Sequence, residues 1–518
     1  MSPRITSRLD LGTLDEIISR YGEQRAEATY LIGGRSRERL SYGDLARRVR
    51  ELGMAFDRVG IAMGERVGLL VTDPVTFAVY FLALIAHGIW VAPLDPYVTA
   101  TSVEQFSERA RAMRLDKVIG DRAALSRDLV WVETSSLEIA PPVPTPRAST
   151  WSKVHAARSG VILASSGTTG TPKVMLLSEE QLLVVACLVA THNELDDAER
   201  GFNALPLWHI NAEVVGLLAT LAAGASLVLD DRFHRTDFWA LIEEFEVTWI
   251  NAVPAIISRL STLAPEEHVP NQVRFIRSAS APLSATLLTR FEDLTGIRVV
   301  ESYGMTEAAS QICVGALYGA HRPGSVGRPV GVDLRVVRDT DEGPVAELPH
   351  EIGHVEIRGA SVIDHYDAKG YEGRFSRGGW LRTGDLGYLD AEGYVYLVGR
   401  SDDVINRGGE KIFPREIEEL VTGVYEVHSA AVVASSDEVF GQVPTLYVQL
   451  KDVTASSAPA EIAVALKGVR DVLVASLART RRPTQVRVVA TMPTHATGKI
   501  QKKHLDTSHQ VLYVEDLV

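Results

Sequence analysis

Short runs of consecutive apolar residues recur along the N-terminal part of the chain, with helical patterns between them: RVGLLV, GIWVAPL, SGVILASS, ASLVLDD, VTWINAVP and IRVVESYG. They are rich in Val, Ile and Leu and do not alternate with polar residues, which predicts parallel strands covered by helices on both faces. Two apolar runs are longer, TFAVYFLALIAHGIWVAPLDP (76–96) and VVGLLATLAAGASLVLDD. His87, Gly88 and the terminal PLDP interrupt the first, and Gly224 breaks the second. Each predicts a buried helix turning into a buried strand rather than a membrane span. The proline-rich, aperiodic segment 133–160 predicts an extended surface connection.

From about residue 325 the pattern becomes short alternating strands joined by glycine turns (SVGRPVGVDLRVV, GHVEIRG, GYLDAEGYVYLVGR), as in antiparallel hairpins or a small barrel. Near residue 400 it changes again. Pro414 opens a helix with acids in its first turn, and strands and helices then alternate in a compact unit, with a surface loop at 453–460. The predicted class is α/β. A large N-terminal domain of parallel α/β subdomains spans 1–401, with a small β subdomain at about 325–400, and a small α+β domain spans 402–518.

Composition narrows the function classes. The 518 residues carry a formal net charge of −13, which argues against nucleic-acid binding. Cys187 and Cys313 are the only cysteines, so no disulfide framework exists, and MSPRITSRLDLGTLDEI lacks the apolar core of a signal peptide. Both point to the cytoplasm, without membrane insertion.

Candidate chemistry starts at SSGTTGTPKVMLLS, 165–178. Its small, hydroxylated, glycine-rich composition suits phosphate, but it is not a Walker loop: Pro172 precedes Lys173, and Val174 stands where Ser or Thr is needed. Three further stretches follow: ESYGMTEAA (301–309), WLRTGDLGYLDAEGYVYLVGRSDD (380–403) and ATGKIQKKHL (496–505). Singly these read equally well as a surface turn, a strand end, hairpins and a basic tail. Together, in this order and spacing, they resemble the adenylate-forming superfamily of acyl- and aryl-CoA ligases, peptide-synthetase adenylation domains and luciferases.

The resemblance implies an ATP- and Mg²⁺-dependent enzyme that joins a carboxylate to AMP, releases pyrophosphate and passes the acyl group to a thiol. It also implies that the C-terminal domain rotates about Asp402 between the two half-reactions. By the same resemblance Ser165, Ser166, Gly167, Thr168, Thr169, Gly170 and Lys173 hold the β- and γ-phosphates, with Thr168 and Glu307 at the metal. Tyr303 stacks on adenine and Thr306 touches the α-phosphate, with Glu301, Ser302, Gly304 and Met305 around them and Ala281 along the adenine or acyl pocket. Asp385 and Arg400 hold the ribose, Lys499 bridges the acyl carboxylate and α-phosphate, and His209 gates the thiol tunnel. Gly408 and Gly409 permit passage of a pantetheine arm.

The acyl pocket is less defined. WHINAEVVG lacks the aspartate of α-amino acid adenylation domains, whereas Asp230 and Asp231 end a strand beside the expected pocket. Asp230 there could anchor an amine, as in stand-alone enzymes that load β-amino acids onto acyl carrier proteins in macrolactam biosynthesis; a helix cap or surface acid is the plainer reading. Leu217, Thr220, Ser302 and Arg328 would complete the pocket, and RTRRP (479–483) is a candidate carrier-protein patch. The competing readings are an acyl- or aryl-CoA ligase using free coenzyme A and, more remotely, a luciferase-like oxidoreductase or an inactive binding homologue.

Overall fold

The computed structural model describes residues 12–96, 103–121, 129–138, 159–165, 173–264, 267–340, 343–368, 370–494, 500–505 and 511–517. Every apolar run singled out above forms a strand. Three of them, Ser226–Leu229, Trp249–Ala252 and Arg298–Tyr303, join strands not singled out there in the parallel order Thr29–Gly33, Ser226–Leu229, Arg200–Asn203, Trp249–Ala252, Phe275–Ser278 and Arg298–Tyr303. Short antiparallel edge strands complete this nine-stranded sheet. A second sheet sets Val130–Glu133, Lys117–Gly120, Arg66–Leu70, Trp90–Pro93 and Gly160–Ser165 in parallel, closed by antiparallel Lys173–Ser178.

The long apolar runs fold as expected. Helix Pro74–Ala86 is buried almost all round, is capped by Asp73 accepting from the Thr76 amide at 2.7 Å, and leads through Gly88 into Trp90–Pro93. The second run becomes a π-helical segment, Ala212–Leu218, and a short helix, Ala219–Ala223, ended by Gly224 in the left-handed conformation. No helix among the described residues is long and apolar enough to cross a membrane. Segment 133–160 departs from expectation at its start: Thr134–Glu138 is helical and packs Leu137 into the core, while 139–158 lie outside the described residues.

Residues 333–400 form the expected antiparallel sheet. At its centre Glu356, 0% exposed, is held by both Arg335 and Arg382. A fourth sheet, from Ile405–Arg407 to Val511–Asp516, has its own core around Ile417, Val448, Val469 and Val486. Pro414 opens helix Pro414–Thr422 at its first position, where a missing amide hydrogen costs nothing.

Candidate active site

The C-terminal ends of parallel strands gather ligands because connecting loops and strand ends converge there. At that end, Arg298–Tyr303 runs into a tight turn. A Cβ on Gly304 would lie 1.3 Å from the Ser310 carbonyl oxygen, and Ala309 and Ser310 both have positive φ. Only glycine fits. Gly304→Ala is expected to destabilise the protein by about 3 kcal/mol or more, measured by denaturant unfolding.

The turn aims Tyr303 at the antiparallel sheet. Its hydroxyl donates to Asp385 Oδ2, and Arg400 Nη1 donates to Asp385 Oδ1 at 3.0 Å. Burial, then the Asp385 charge, holds the Tyr303 hydroxyl well above the usual phenol range, so it stays a donor. Strands Trp380–Leu389 and Val395–Arg400 pair Asp385 directly opposite Arg400, which fixes that contact through the backbone. Gly384 has φ +84°, and a Cβ there would approach Arg400 Nη2 to 2.7 Å and Arg374 Nη1 to 3.2 Å.

Three cations converge on this place. Lys173 Nζ lies 5.3 Å from the Tyr371 ring centroid, and Arg374 donates to the Thr383 carbonyl, as does Arg400. The Lys173 ammonium is held below its ordinary value first by burial and then by Arg374 and Arg400, with Glu307 and Asp402 opposing. Glu307 is buried and accepts from the Tyr366 hydroxyl at 2.9 Å. An aromatic ring, a carboxylate fixed by two donors and a set of mutually repelling cations make a cleft suited to a nucleoside polyphosphate. Arg374 and Tyr366 were not legible in the sequence, since neither stands in a recognisable pattern.

The other candidates divide. Ser166, Gly167, Thr168, Thr169, Gly170 and Lys499 lie outside the described residues; Ser165 ends strand Gly160–Ser165. Ala281 is half-buried just beyond Phe275–Ser278, Ser302 Oγ donates to the Ser278 carbonyl, and Met305 and Thr306 line the tight turn. Half-buried His209 precedes the π-helical segment. Asp402 is exposed in a single 3₁₀ turn, and Gly408 and Gly409 make the positive-φ turn between Ile405–Arg407 and Glu410–Ile412. Leu217 and Thr220 are fully buried, the Thr220 hydroxyl donating to its own helix at Gly216.

Two candidates have partners of their own. The Asp230 carboxylate is engaged: its side chain is 1% exposed, Oδ2 accepts from Arg35 Nε at 3.0 Å, and Oδ1 accepts from the Asp231 amide. It is an ion-pair partner within the fold. Asp230→Asn is therefore expected to lower stability by about 1–3 kcal/mol without changing acid selectivity, as thermal unfolding and a substrate panel would register. Arg328 is exposed and stacks 4.4 Å from the Tyr394 ring centroid, across Val314 from Ser302 in the sheet register.

Glu301 faces helix Pro414–Thr422 of the C-terminal unit. Burial raises its pKa to about 7, with Arg415 lowering it and Glu419 raising it. Its folded value exceeds the unfolded one, so its contribution to stability is complete below about pH 4.5 and is lost as pH rises through 7. Glu301→Gln should raise the melting temperature at pH 8 relative to wild type and leave it nearly unchanged at pH 5.

The profile of the AMP-binding enzyme family matches residues 18–367, and that of the AMP-binding enzyme C-terminal domain matches 416–499. The chain belongs to the adenylate-forming superfamily. It is 32% identical to a sulfoacetate–CoA ligase of Cupriavidus necator over 516 residues, covering 95% of this chain and 97% of that one. It is 31% identical to an oxalate–CoA ligase of Arabidopsis thaliana over 477 residues, covering 86% and 88%. Its fold matches that of an anthranilate CoA ligase bound to anthranoyl-AMP, with a TM-score of 0.84 at 24% identity, over 97% of this chain and 98% of that one. This adenylate-forming enzyme is thus an AMP-forming acid–thiol ligase, with an α/β N-terminal body and a smaller C-terminal unit.

Proposed function

We propose that the protein activates a small carboxylic acid with ATP and transfers it to free coenzyme A. The carrying observation is the Tyr303–Asp385–Arg400 junction with Lys173 and Arg374 beside it. The Tyr303 ring offers a face for adenine, while Asp385 offers acceptors for the two ribose hydroxyls. Two anions must meet at the α-phosphorus, and Lys173, Arg374 and Arg400 offset that repulsion in a partly desolvated cleft. Glu307, held by Tyr366, would ligate Mg²⁺, whose charge when bound would neutralise phosphate oxygens. In this reading Lys499 supplies the last charge from the C-terminal domain, and rotation about Asp402 then exchanges it for the Gly408–Gly409 turn during thioester formation.

Coenzyme A is the acceptor favoured by the relatives named as CoA ligases. The β-amino acid and carrier-protein expectation gives way to it, because Asp230 is paired with Arg35. Within RTRRP, Arg481 is paired with Glu416 and Arg482 donates to the carbonyls of Leu477 and Val474, which leaves little open cation to dock an acidic carrier. The test compares free coenzyme A with a phosphopantetheinylated carrier protein at equal concentration. Thioester formation at least tenfold faster with coenzyme A is expected; transfer to the carrier alone would overturn the reading.

A further inference from the structure

The buried Glu356 carboxylate is matched by Arg335 and Arg382, and the unpartnered Glu213 carboxyl is pushed by burial toward its neutral form. Arg277 is different. It lies on strand Phe275–Ser278, 1% exposed, and among the described residues its only side-chain hydrogen bond runs from Nη2 to Gln311 Oε1 at 2.7 Å. Among the described residues Nε and Nη1 have no partner, and neither has the Gln311 Nε2 amide. No carboxylate among the described residues offsets its charge: burial alone lowers its pKa, to about 10, which leaves it protonated at neutral pH. Removing a guanidinium from water without a counter-ion costs several kcal/mol. A fold that keeps it there gains something other than stability.

Its position indicates what. In-register pairing sets Arg277 beside Asn251 and Asn251 beside Asn203, so the three side chains rise from one face of the nine-stranded sheet. Asn251 Nδ2 bridges Asn203 Oδ1 and Asn211 Oδ1, the latter immediately before the π-helical segment Ala212–Leu218. Irregular helical turns of this kind recur at functional sites. On the other side, Arg277 pairs with Val300 on the strand that ends in Ser302 and Tyr303, and Gln311 follows Glu307 in the same segment. The orphan donors therefore lie beside the strand that carries Ser302 and Tyr303, in a buried layer that is polar and rich in donors. A layer of this kind is costly for an aliphatic or aromatic acyl chain, which would leave Arg277 Nε and Nη1 and Gln311 Nε2 unpaired.

We propose that Arg277 and Gln311 bind a second anionic group, a carboxylate or sulfonate, at the far end of the acid being activated, so that the substrate is a small dianion. The proposal rests on the ligase reading above. A guanidinium suits this task because its planar fork of donors matches both oxyanions in a bidentate fashion. Gln311, holding one arm of the fork, fixes the orientation of the other two nitrogens. The group is then a specificity determinant that leaves adenylation chemistry to the Tyr303–Asp385 cleft.

The test is ATP–pyrophosphate exchange by the full-length protein over oxalate, malonate, succinate and sulfoacetate against propionate, butyrate and β-alanine. Wild type should use at least one dianion with kcat/KM about 100-fold or more above the acids that carry a single anionic group, because a site built to pair a polar group rejects analogues lacking it. Arg277→Met should lose that preference by a similar factor, keep monoanion turnover within a few-fold, and melt at the same or a higher temperature, since an unpaired buried charge is removed. Equal use of propionate or β-alanine by wild type would overturn the proposal, as would an Arg277→Met enzyme that still prefers the dianion. If Arg277→Met does not fold, the wild-type panel decides. Exchange with none of the acids would overturn the ligase reading, and this proposal with it.

Discussion

Lys499→Ala should lower the rate of acyl-AMP formation by about 10²–10³-fold, the usual consequence of removing one group that stabilises charge developing in the transition state. The same variant should convert supplied acyl-AMP and coenzyme A to thioester within a few-fold of wild type. That asymmetry follows from the proposed division of labour. Lys499 lies 326 residues beyond Lys173, and in the proposed reading it belongs to the closed adenylating arrangement only. A lysine that merely held the fold together would slow both half-reactions alike. The comparison is made by pyrophosphate exchange for the first step and thioester appearance from acyl-AMP for the second.

Asp385→Ala should reduce kcat/KM for ATP by about 10²–10⁴-fold, since two hydrogen bonds to a charged group, each worth about 1.5–3 kcal/mol, are lost with the ribose. The carboxylate also joins two structural units. Tyr303, from the parallel sheet, and Arg400, from the antiparallel sheet, meet on its two oxygens. Its removal leaves the Tyr303 hydroxyl and the Arg400 guanidinium without that acceptor, so the melting temperature should fall as well. Asp385→Asn keeps the shape but offers one acceptor oxygen in place of two, and should fall between wild type and alanine. Equal KM for ATP in wild type and Asp385→Ala would remove this residue from the nucleotide site.

Much of the architecture was legible because parallel strands buried on both faces carry unbroken apolar runs, as in VTWINAVP and IRVVESYG. Gly224 and Pro414 mark helix boundaries by backbone geometry alone and behave accordingly. Tyr303, Asp385 and Arg400 were found because each sits in a local pattern, and the fold brings all three to one point. Residues whose meaning depends on a distant partner were not legible. Nothing near Asp230 announces Arg35, which lies 195 positions earlier in the chain and consumes its charge. Arg277 sits among residues that read as an ordinary buried strand, and its missing counter-ion appears only when all its neighbours are placed. Arg374 lies in YEGRFSRGG, where its neighbours suggest a turn; antiparallel pairing brings that segment against Trp380–Leu389 and so to the Thr383 carbonyl.

Dianion specificity and domain rotation both presuppose that one cleft runs two successive reactions through an adenylate. The most direct measurement is a single-turnover experiment with excess enzyme, radiolabelled ATP, Mg²⁺ and a dianionic acid such as malonate or sulfoacetate. Before coenzyme A is added, pyrophosphate should appear in one equivalent with label retained on the protein as acyl-AMP. Addition of coenzyme A should then release AMP and thioester in equal amounts. Formation of ADP and phosphate, or release of pyrophosphate only after coenzyme A is present, would contradict it.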